Sequence, residues 1–459
     1  MQDLTKGNEV RNIITFTIPM FIGSFFQLFY NIVDSIIVGN FVGASALAAI
    51  GTSTPISFFI VVIMNGFASG MAIVVTQLFG AKRLEELRST VFSTFSTLVI
   101  ICLLLSVGGV WAANPILKYL LKAPESILND ATTYLQIYLA SLVFIFLYNA
   151  VSFLLRAIGD SRTPVYFLIV SSIINALLAL IFVRNMGWGV AGAAWATFIA
   201  QGLCSIGLVI YTYIAVPVYR MRLGEVAFDK KLLYMTLAQG LPNALQQGVL
   251  GVGGLALQGL INSFGEVTIA ATSAAFKVEQ IIGQLSLNLS RAISIFTGQN
   301  IGAGNIDRVE RGLRQTLVAG IIMGLLCSII VMLFSESIIG LFLDSDNAHA
   351  AINEQVIFQG RQYLYVTGFF FVFVFATNIM TGMLRGSSDN VFTSIGTLSI
   401  FFIRIVAAYT MAGIASIGYQ GIWWSQPFMW VLGTAALWLR YQSGAWKTKS
   451  IIGRLPKAQ

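Results

Sequence analysis

Asp34 is a carboxylate in the middle of an apolar run, between Phe21–Phe29 and Ile36–Val38. A charge at the centre of a bilayer costs about 2.5–3.5 kcal/mol on insertion scales, so such a residue faces a bundle interior or a cavity rather than lipid. Gln27, Tyr30, Asn31 and Asp34 follow the i, i+3, i+4, i+7 spacing of one helix face. They draw a polar stripe on an otherwise apolar helix, and that stripe is expected to line a cavity. Removed from water, Asp34 is a candidate proton carrier or cation ligand.

Other polar residues interrupt later apolar runs: Tyr148 with Asn149, then Asn175, then Thr197 with Gln201. Singly, each suits a helix–helix hydrogen bond worth about 0.6 kcal/mol. Together with Asp34 they would offer a hard cation oxygen ligands. The second half contributes Lys277, Glu279 and Arg291, with Gln246, Gln247, Gln258, Gln280, Gln284 and Asn288 as further polar lining. Lys277 and Glu279 stand two residues apart and do not share a helix face. Arg291 reaches Glu279 only across a bend or from another helix. Charge at this depth usually faces water, so Gln247, Lys277, Glu279 and Arg291 join Gln27, Tyr30, Asn31 and Asn149 as candidate cavity lining. Arg404 fits structural pairing better.

The elements that must position these groups are membrane helices. Of the 459 residues, 57% are hydrophobic and only 10% charged, where a soluble chain carries roughly 25% charged residues. Charge-free stretches recur, among them 35–81, 89–117 and 405–439, and a bilayer core needs about 20 apolar residues per helix. Runs of this length read as helices rather than barrel strands. Twelve are expected, near 12–38, 47–79, 89–112, 131–156, 162–184, 189–215, 232–263, 268–300, 311–334, 355–383, 391–412 and 418–442. The first apolar segment is too long for a signal peptide and shows no A-x-A site, so it reads as a retained helix.

Basic residues set the orientation. Twenty of the 27 Lys and Arg fall on one side; Lys118, Lys122, Arg184 and Arg361 fall on the other, and Lys277, Arg291 and Arg404 lie within spans. Both termini are therefore expected in the cytoplasm. The net charge of +8 belongs to these short loops and does not point to nucleic acid. Cys102, Cys204 and Cys327 all sit in apolar stretches and read as small buried hydrophobes. The single His349 excludes a histidine metal cage.

The halves repeat at an offset of 222–229 residues. Pro19 matches Pro242, and Gly43-Ala44 matches Gly265-Glu266. Gln77 to Ala81 matches Gln299 to Ala303, Leu155-Arg156 matches Leu384-Arg385, Asp160 matches Asp389, and Gly192 and Trp195 match Gly421 and Trp424. The implied fold is an all-α membrane protein of twelve transmembrane helices in two pseudo-symmetric six-helix lobes around a central cavity. Residues 1–216 form the first lobe, 217–231 a cytoplasmic linker and 232–459 the second lobe. Six helices per half relate the two by an axis along the membrane normal, a layout that suits alternating access. Close packing is expected where small residues recur, as at Gly66 and Gly70.

Several chemistries find no support. The Gly-rich stretch 298–304 lacks the lysine of a phosphate-binding loop. Zinc-protease, serine-hydrolase and CxxC motifs are missing, so an enzyme is not expected. Asp344 and Asp346 resemble the start of a calcium loop, but Gln355 stands where its bidentate acid belongs.

The segments IPMFIGSFFQLFYNIVDSIIVGNFVGASALAAIG, TQLFGAK, LLRAIGDSRTP, GWGVAGAAWAT, FTGQNIGAGN and LRGSSD resemble the MATE family of multidrug and toxic-compound extrusion proteins, in its bacterial MepA-like or DinF-like branch. The resemblance spans nearly the whole chain. It implies export of organic, often cationic or amphiphilic compounds by antiport with protons or sodium, and it implies no cofactor. It also implies residence in the bacterial inner membrane, and a monomer is expected there. An ion site in such proteins uses an Asp of helix 1, an Asn and an Asp four residues apart on helix 5, and a Thr of helix 6. Asp34, Asn175 and Thr197 match three of these and become the candidate ion-coupling residues, with a sodium ion or a proton as ligand. The second Asp would fall at Ala179. Gln27 and Tyr30 match drug-cavity positions, and the second-lobe carboxylates of the NorM-like branch fall near the apolar Leu250 and Val374. A lipid-linked precursor flippase of the same superfamily is the alternative. It usually adds helices and a strongly basic cavity.

Overall fold

The computed structural model of the chain describes residues 2–220, 227–343 and 350–455. Part of the expected linker, together with Asp344, Asp346 and His349, lies outside the described residues. Among the described residues there are fourteen α-helices and no strand. They are α1 (Glu9–Phe41), α2 (Ala44–Gly80), α3 (Leu84–Pro115), α4 (Glu125–Ala140), α5 (Leu142–Ala157), α6 (Thr163–Ala179), α7 (Gly189–Ala215), α8 (Lys230–Asn262), α9 (Glu266–Gly302), α10 (Ile306–Gly340), α11 (Ala350–Gly368), α12 (Phe371–Gly386), α13 (Asn390–Ala412) and α14 (Gln420–Gln442).

Among the described residues eight helices are long and apolar enough to cross a membrane, and ten when each bent pair counts as one span. The pairs are α4 with α5, bent by 42°, and α11 with α12, bent by 50°. The breaks fall at Ser141 and at Phe369–Phe370, so two expected single helices, 131–156 and 355–383, are each two helices. Taking each pair as one rod leaves twelve rods, the expected number. Neither break contains a proline. In the first, the Ser141 hydroxyl donates to the Tyr138 carbonyl at 2.6 Å and holds the turn together. The two remaining rods, α9 and α14, carry more polar side chains. In α9 these are largely buried, including Thr268, Thr272, Glu279, Ser286, Asn288, Gln299 and Asn300.

The repeat is visible in the backbone. Gly43 and Gly265 precede α2 and α9 with φ of 105° and 88°, a region open to glycine and strained for other residues. After α2 the Arg83 amide donates to the Leu78 carbonyl at 3.0 Å, and after α9 the Asn305 amide donates to the Asn300 carbonyl at 2.8 Å. Each bond closes a helix with its left-handed residue, Lys82 at φ 60° and Gly304 at φ 78°.

The chain divides into two compact units, one built on Ile18–Leu245 and the other on Leu4–Thr17 with Gln246–Lys457. The division falls inside α1 and α8, and packing explains it. In the first unit α8 lies against α2 so closely that a Cβ on Gly66 would stand 2.5 Å from the Ala244 Cα, and one on Gly70 2.4 Å from the Gly240 nitrogen. Small residues at this spacing let two backbones touch, as expected. In the second unit the chain before α1 is pinned to the Gln299-Asn300 motif. The Leu4 amide donates to Gln299 Oε1 at 3.1 Å, and Asn300 Nδ2 donates to the Leu4 carbonyl at 3.2 Å. Glu9 pairs with Arg308 and Arg311, each at 3.3 Å. The Gly-rich motif is thus a docking point for the protein's own N-terminal segment.

Candidate functional site

Two buried carboxyl clusters stand out, one inside each unit. In the first unit, α1 turns Tyr30 and Asp34 toward α4, α6 and α7. Thr197 on α7 is the hub. Its hydroxyl donates to the Ala193 carbonyl at 3.2 Å, accepts from Asn175 Nδ2 of α6 at 3.1 Å and lies 3.5 Å from the Tyr30 hydroxyl. Asn175 is only 2% exposed. Tyr134 and Tyr138, one turn apart on α4, stack with ring centres 6.1 Å apart. Asp34 Oδ1 is buried and has no hydrogen-bond partner. A buried acceptor of this kind costs about 1–3 kcal/mol while unsatisfied.

Two of the three expected ion-coupling residues, Asn175 and Thr197, therefore meet and Tyr30 joins them, while Asp34 stands one turn along α1 from Tyr30. The remaining stripe does not: Gln27 is exposed, and the Asn31 side chain lies outside the described residues. The open groove on α1, about 490 Å³ over Leu28, Ile32, Ser35, Ile36, Gly39 and Asn40, lies on its opposite, apolar face. Asn149 donates to the Ile145 carbonyl of its own helix at 2.9 Å.

Ala179 is fully buried in an apolar cluster with Ile37, Val38, Ala46, Val183, Val190, Ala193 and Ala196. A carboxylate there would meet aliphatic side chains and the Tyr134 and Phe182 rings packed against the cluster. Among the described residues no group of three or more His, Cys, Asp or Glu side chains is placed to hold a metal ion. Hard cations take shells of six or more oxygens. This cluster offers one carboxylate, and its Thr197 oxygen is already engaged.

The second unit builds its cluster around Glu279 on α9, which is 9% exposed. Tyr363 and Thr367 of α11, at 4% and 0% exposure, lie near it, with the Thr367 hydroxyl donating to the Tyr363 carbonyl at 3.2 Å, and Arg404 of α13 adds a nearby positive charge. Glu279 Oε1 and Arg404 Nε are both buried without a partner. Arg404 lies over the Phe401 ring at 5.8 Å. Trp423 stands edge-on to Tyr363 at 5.5 Å and donates to the Thr272 hydroxyl at 3.3 Å. The other expected lining residues do not join. Gln247 is exposed, Lys277 is exposed over the Phe342 ring at 4.9 Å, and Arg291 is exposed and donates to Asn288 at 3.2 Å on its own helix.

Sequence reasoning missed Tyr134, Tyr138, Tyr363 and Thr367. The repeat held the signal. At an offset of 229, Tyr134 falls on Tyr363, Tyr138 on Thr367, Asn175 on Arg404 and Ala179 on Ala408.

The MatE family model matches residues 19–181 and, a second time, residues 242–410. The chain belongs to the MatE family. The double match also traces the internal repeat. The probable multidrug resistance protein YpnP of Bacillus subtilis (strain 168) is 28% identical over 98% of each chain. The multidrug export protein MepA of Staphylococcus saprophyticus is 23% identical over 92% of this chain and 90% of its own. Solved structures agree on the fold. One described as "Crystal structure of MATE in complex with MaD3S" superposes with a TM-score of 0.87 at 21% identity, covering 97% of this chain and 98% of the other. An outward-facing multidrug resistance MATE family transporter gives 0.85 at 23% identity, with the same coverage. The chain is thus a membrane protein of the MATE multidrug efflux transporters, and the comparisons do not favour the flippase alternative.

Proposed function

We propose that the protein exports small organic compounds, cationic or amphiphilic, across the bacterial cytoplasmic membrane in exchange for protons, with Asp34 as the coupling carboxyl. The observation that carries this reading is the buried, partnerless Oδ1 of Asp34, one helical turn from the Tyr30 that meets Thr197 and Asn175. A proton neutralises the carboxyl and removes the cost of burying its charge. Its loss restores a buried negative charge that must be answered by water, by a cation or by movement of α1. One ligand thereby biases two arrangements of the same helices, which is the requirement for coupling. The magnitudes suffice. One charge moved through 100 mV is worth about 2.3 kcal/mol, and a tenfold uphill drug gradient costs about 1.4 kcal/mol.

The apolar shell of Ala179 supports the proton over sodium, since a second carboxylate is what a sodium shell would need there. The protein works in this reading as a monomer surrounded by lipid, with both termini cytoplasmic and no cofactor. Proteoliposomes loaded with a cationic dye and given proton and sodium gradients separately provide the test. Efflux driven by the proton gradient alone is expected. Efflux driven only by sodium would remove the proton from the account, and no dye movement under either gradient would remove transport itself.

A further inference from the structure

Between α12, α13 and α14 of the second unit lies a crevice of about 60 Å³, whose wall includes Thr377, Phe392, Gly396, Ile400, Trp430 and Gly433. Packed interiors leave few voids larger than a water molecule, and the repeat explains this one. At the offset of 229, Gly396 falls on Phe167 and Ala436 on Gly207. In the first unit the Phe167 ring of α6 packs onto α7. A Cβ on Gly207 would stand 3.2 Å from that ring, and the ring centre lies 5.9 Å from that of Tyr211. In the second unit the ring is gone, and a Cβ on Gly396 would meet nothing within 4 Å. Tyr148 and Cys204 likewise become the smaller Thr377 and Gly433. Phe392 and Trp430 replace Thr163 and Gln201 and narrow the space without closing it.

The wall decides what the crevice can hold. The Thr377 and Thr434 hydroxyls lie 2.8 Å apart and both reach the Trp430 carbonyl, at 3.2 and 2.9 Å. The Thr397 hydroxyl donates to the Thr393 carbonyl at 2.8 Å. None of the lining side chains carries a buried polar atom without a partner. A trapped water needs two to four polar partners, and here they are already engaged. Beside the crevice α13 exposes Val391 and Ile395, at 54% and 59%, the positions just before Phe392 and Gly396. An apolar surface of a membrane helix therefore adjoins it. We propose that the crevice holds one acyl chain of a phospholipid from the surrounding bilayer, in the place that the Phe167 ring takes in the first unit. A hydrocarbon chain requires no hydrogen bond and supplies the contacts that an empty wall forgoes. Phe392 and Trp430 flank it with two aromatic faces. Arg440, over the Phe392 ring at 4.7 Å, already pairs with Asp389, so the site selects the chain rather than the headgroup. The site is independent of the transport reading above.

The test uses the purified full-length protein in nanodiscs that contain a trace of phospholipid with a diazirine near the end of one acyl chain. After illumination, mass spectrometry maps the labelled residues. The wild type is expected to be labelled at Trp430 inside the crevice and at Phe402, 67% exposed on α13, which reports chains touching the outer surface. Gly396→Phe restores the ring of the first unit. It should lower the Trp430 label about tenfold, the equivalent of excluding about two buried methylenes, and leave the Phe402 label unchanged. In detergent, added phospholipid should raise the melting temperature of the wild type more than that of Gly396→Phe. Choline and glycerol headgroups should label Trp430 equally. Equal Trp430 labelling in the wild type and Gly396→Phe overturns the proposal, and so does a wild type labelled at Phe402 alone. Trp430 labelling that requires an anionic headgroup overturns recognition by the chain. If Gly396→Phe does not fold, Gly396→Leu fills the same space with a smaller side chain and is judged by the same comparison.

Discussion

The two units use corresponding positions for unlike chemistry. Tyr134, Tyr138 and Asn175 in the first become Tyr363, Thr367 and Arg404 in the second, at one constant offset. The acids do not correspond. Asp34 sits on α1, and its counterpart at an offset of 223 is Leu257, 5% exposed in an apolar cluster with Phe401 and Ala408. Glu279 sits on α9, and its counterpart at an offset of 222 is Ser57, 6% exposed. Duplication thus preserved a polar pocket and let the charge change helix. The lone acid is left uncompensated in the first unit. In the second unit the acid faces a guanidinium. A shared scaffold fixes where a group can be buried and which neighbours can reach it, and a single substitution decides the sign of the charge.

Mutations can break or sharpen this contrast. The largest effect is expected at Asp34. Asp34→Asn keeps shape and removes the titrating group, and proton-driven efflux should fall at least about tenfold, the equivalent of 1.4 kcal/mol of coupling, while the protein stays folded in size-exclusion chromatography. The next contrast is structural. Asp389 is 4% exposed and accepts from two Arg440 nitrogens, Nε at 2.7 Å and Nη2 at 3.1 Å. Its counterpart Asp160 caps the start of α6, accepting from the Thr163 amide at 3.0 Å and its hydroxyl at 2.7 Å. Asp389→Asn should therefore destabilise the protein by about 3 kcal/mol, the scale for breaking a buried pair. Ala179→Asp places a second acid among aliphatic and aromatic side chains and should cost about 2 kcal/mol without conferring sodium-driven efflux; a sodium-dependent gain would mean that the site is a sodium shell lacking one ligand. Asp160→Ala should cost only about 1 kcal/mol, the value of a helix cap. Thermal melts in detergent read all three, and equal losses at Asp160 and Asp389 would erase the structural half of the comparison.

Much of this was legible in the residues, for identifiable reasons. Apolar run length dictates membrane helices, so the twelve rods follow from it. Asp34 is conspicuous because bilayers tolerate few charges, and Gly66 and Gly70 because only a missing Cβ permits the observed approach of α8. The bends at Ser141 and Phe369–Phe370 were not legible. Helices usually kink at proline, yet Pro19, Pro55 and Pro242 all lie inside unbroken helices. The neighbours of Glu279 were hidden by distance along the chain. Periodicity relates residues within a helix, whereas Tyr363 and Arg404 arrive from α11 and α13. Only the repeat offset links them to Tyr134 and Asn175.

The central claim is that the lone carboxyl of the first unit exchanges a proton for substrate. Substrate-induced proton release from the detergent-purified protein, followed with a pH-sensitive dye in weak buffer, tests it most directly. The wild type is predicted to release protons when a cationic dye is added, and Asp34→Asn to release fewer while still binding the dye. Undiminished release from Asp34→Asn would contradict the account.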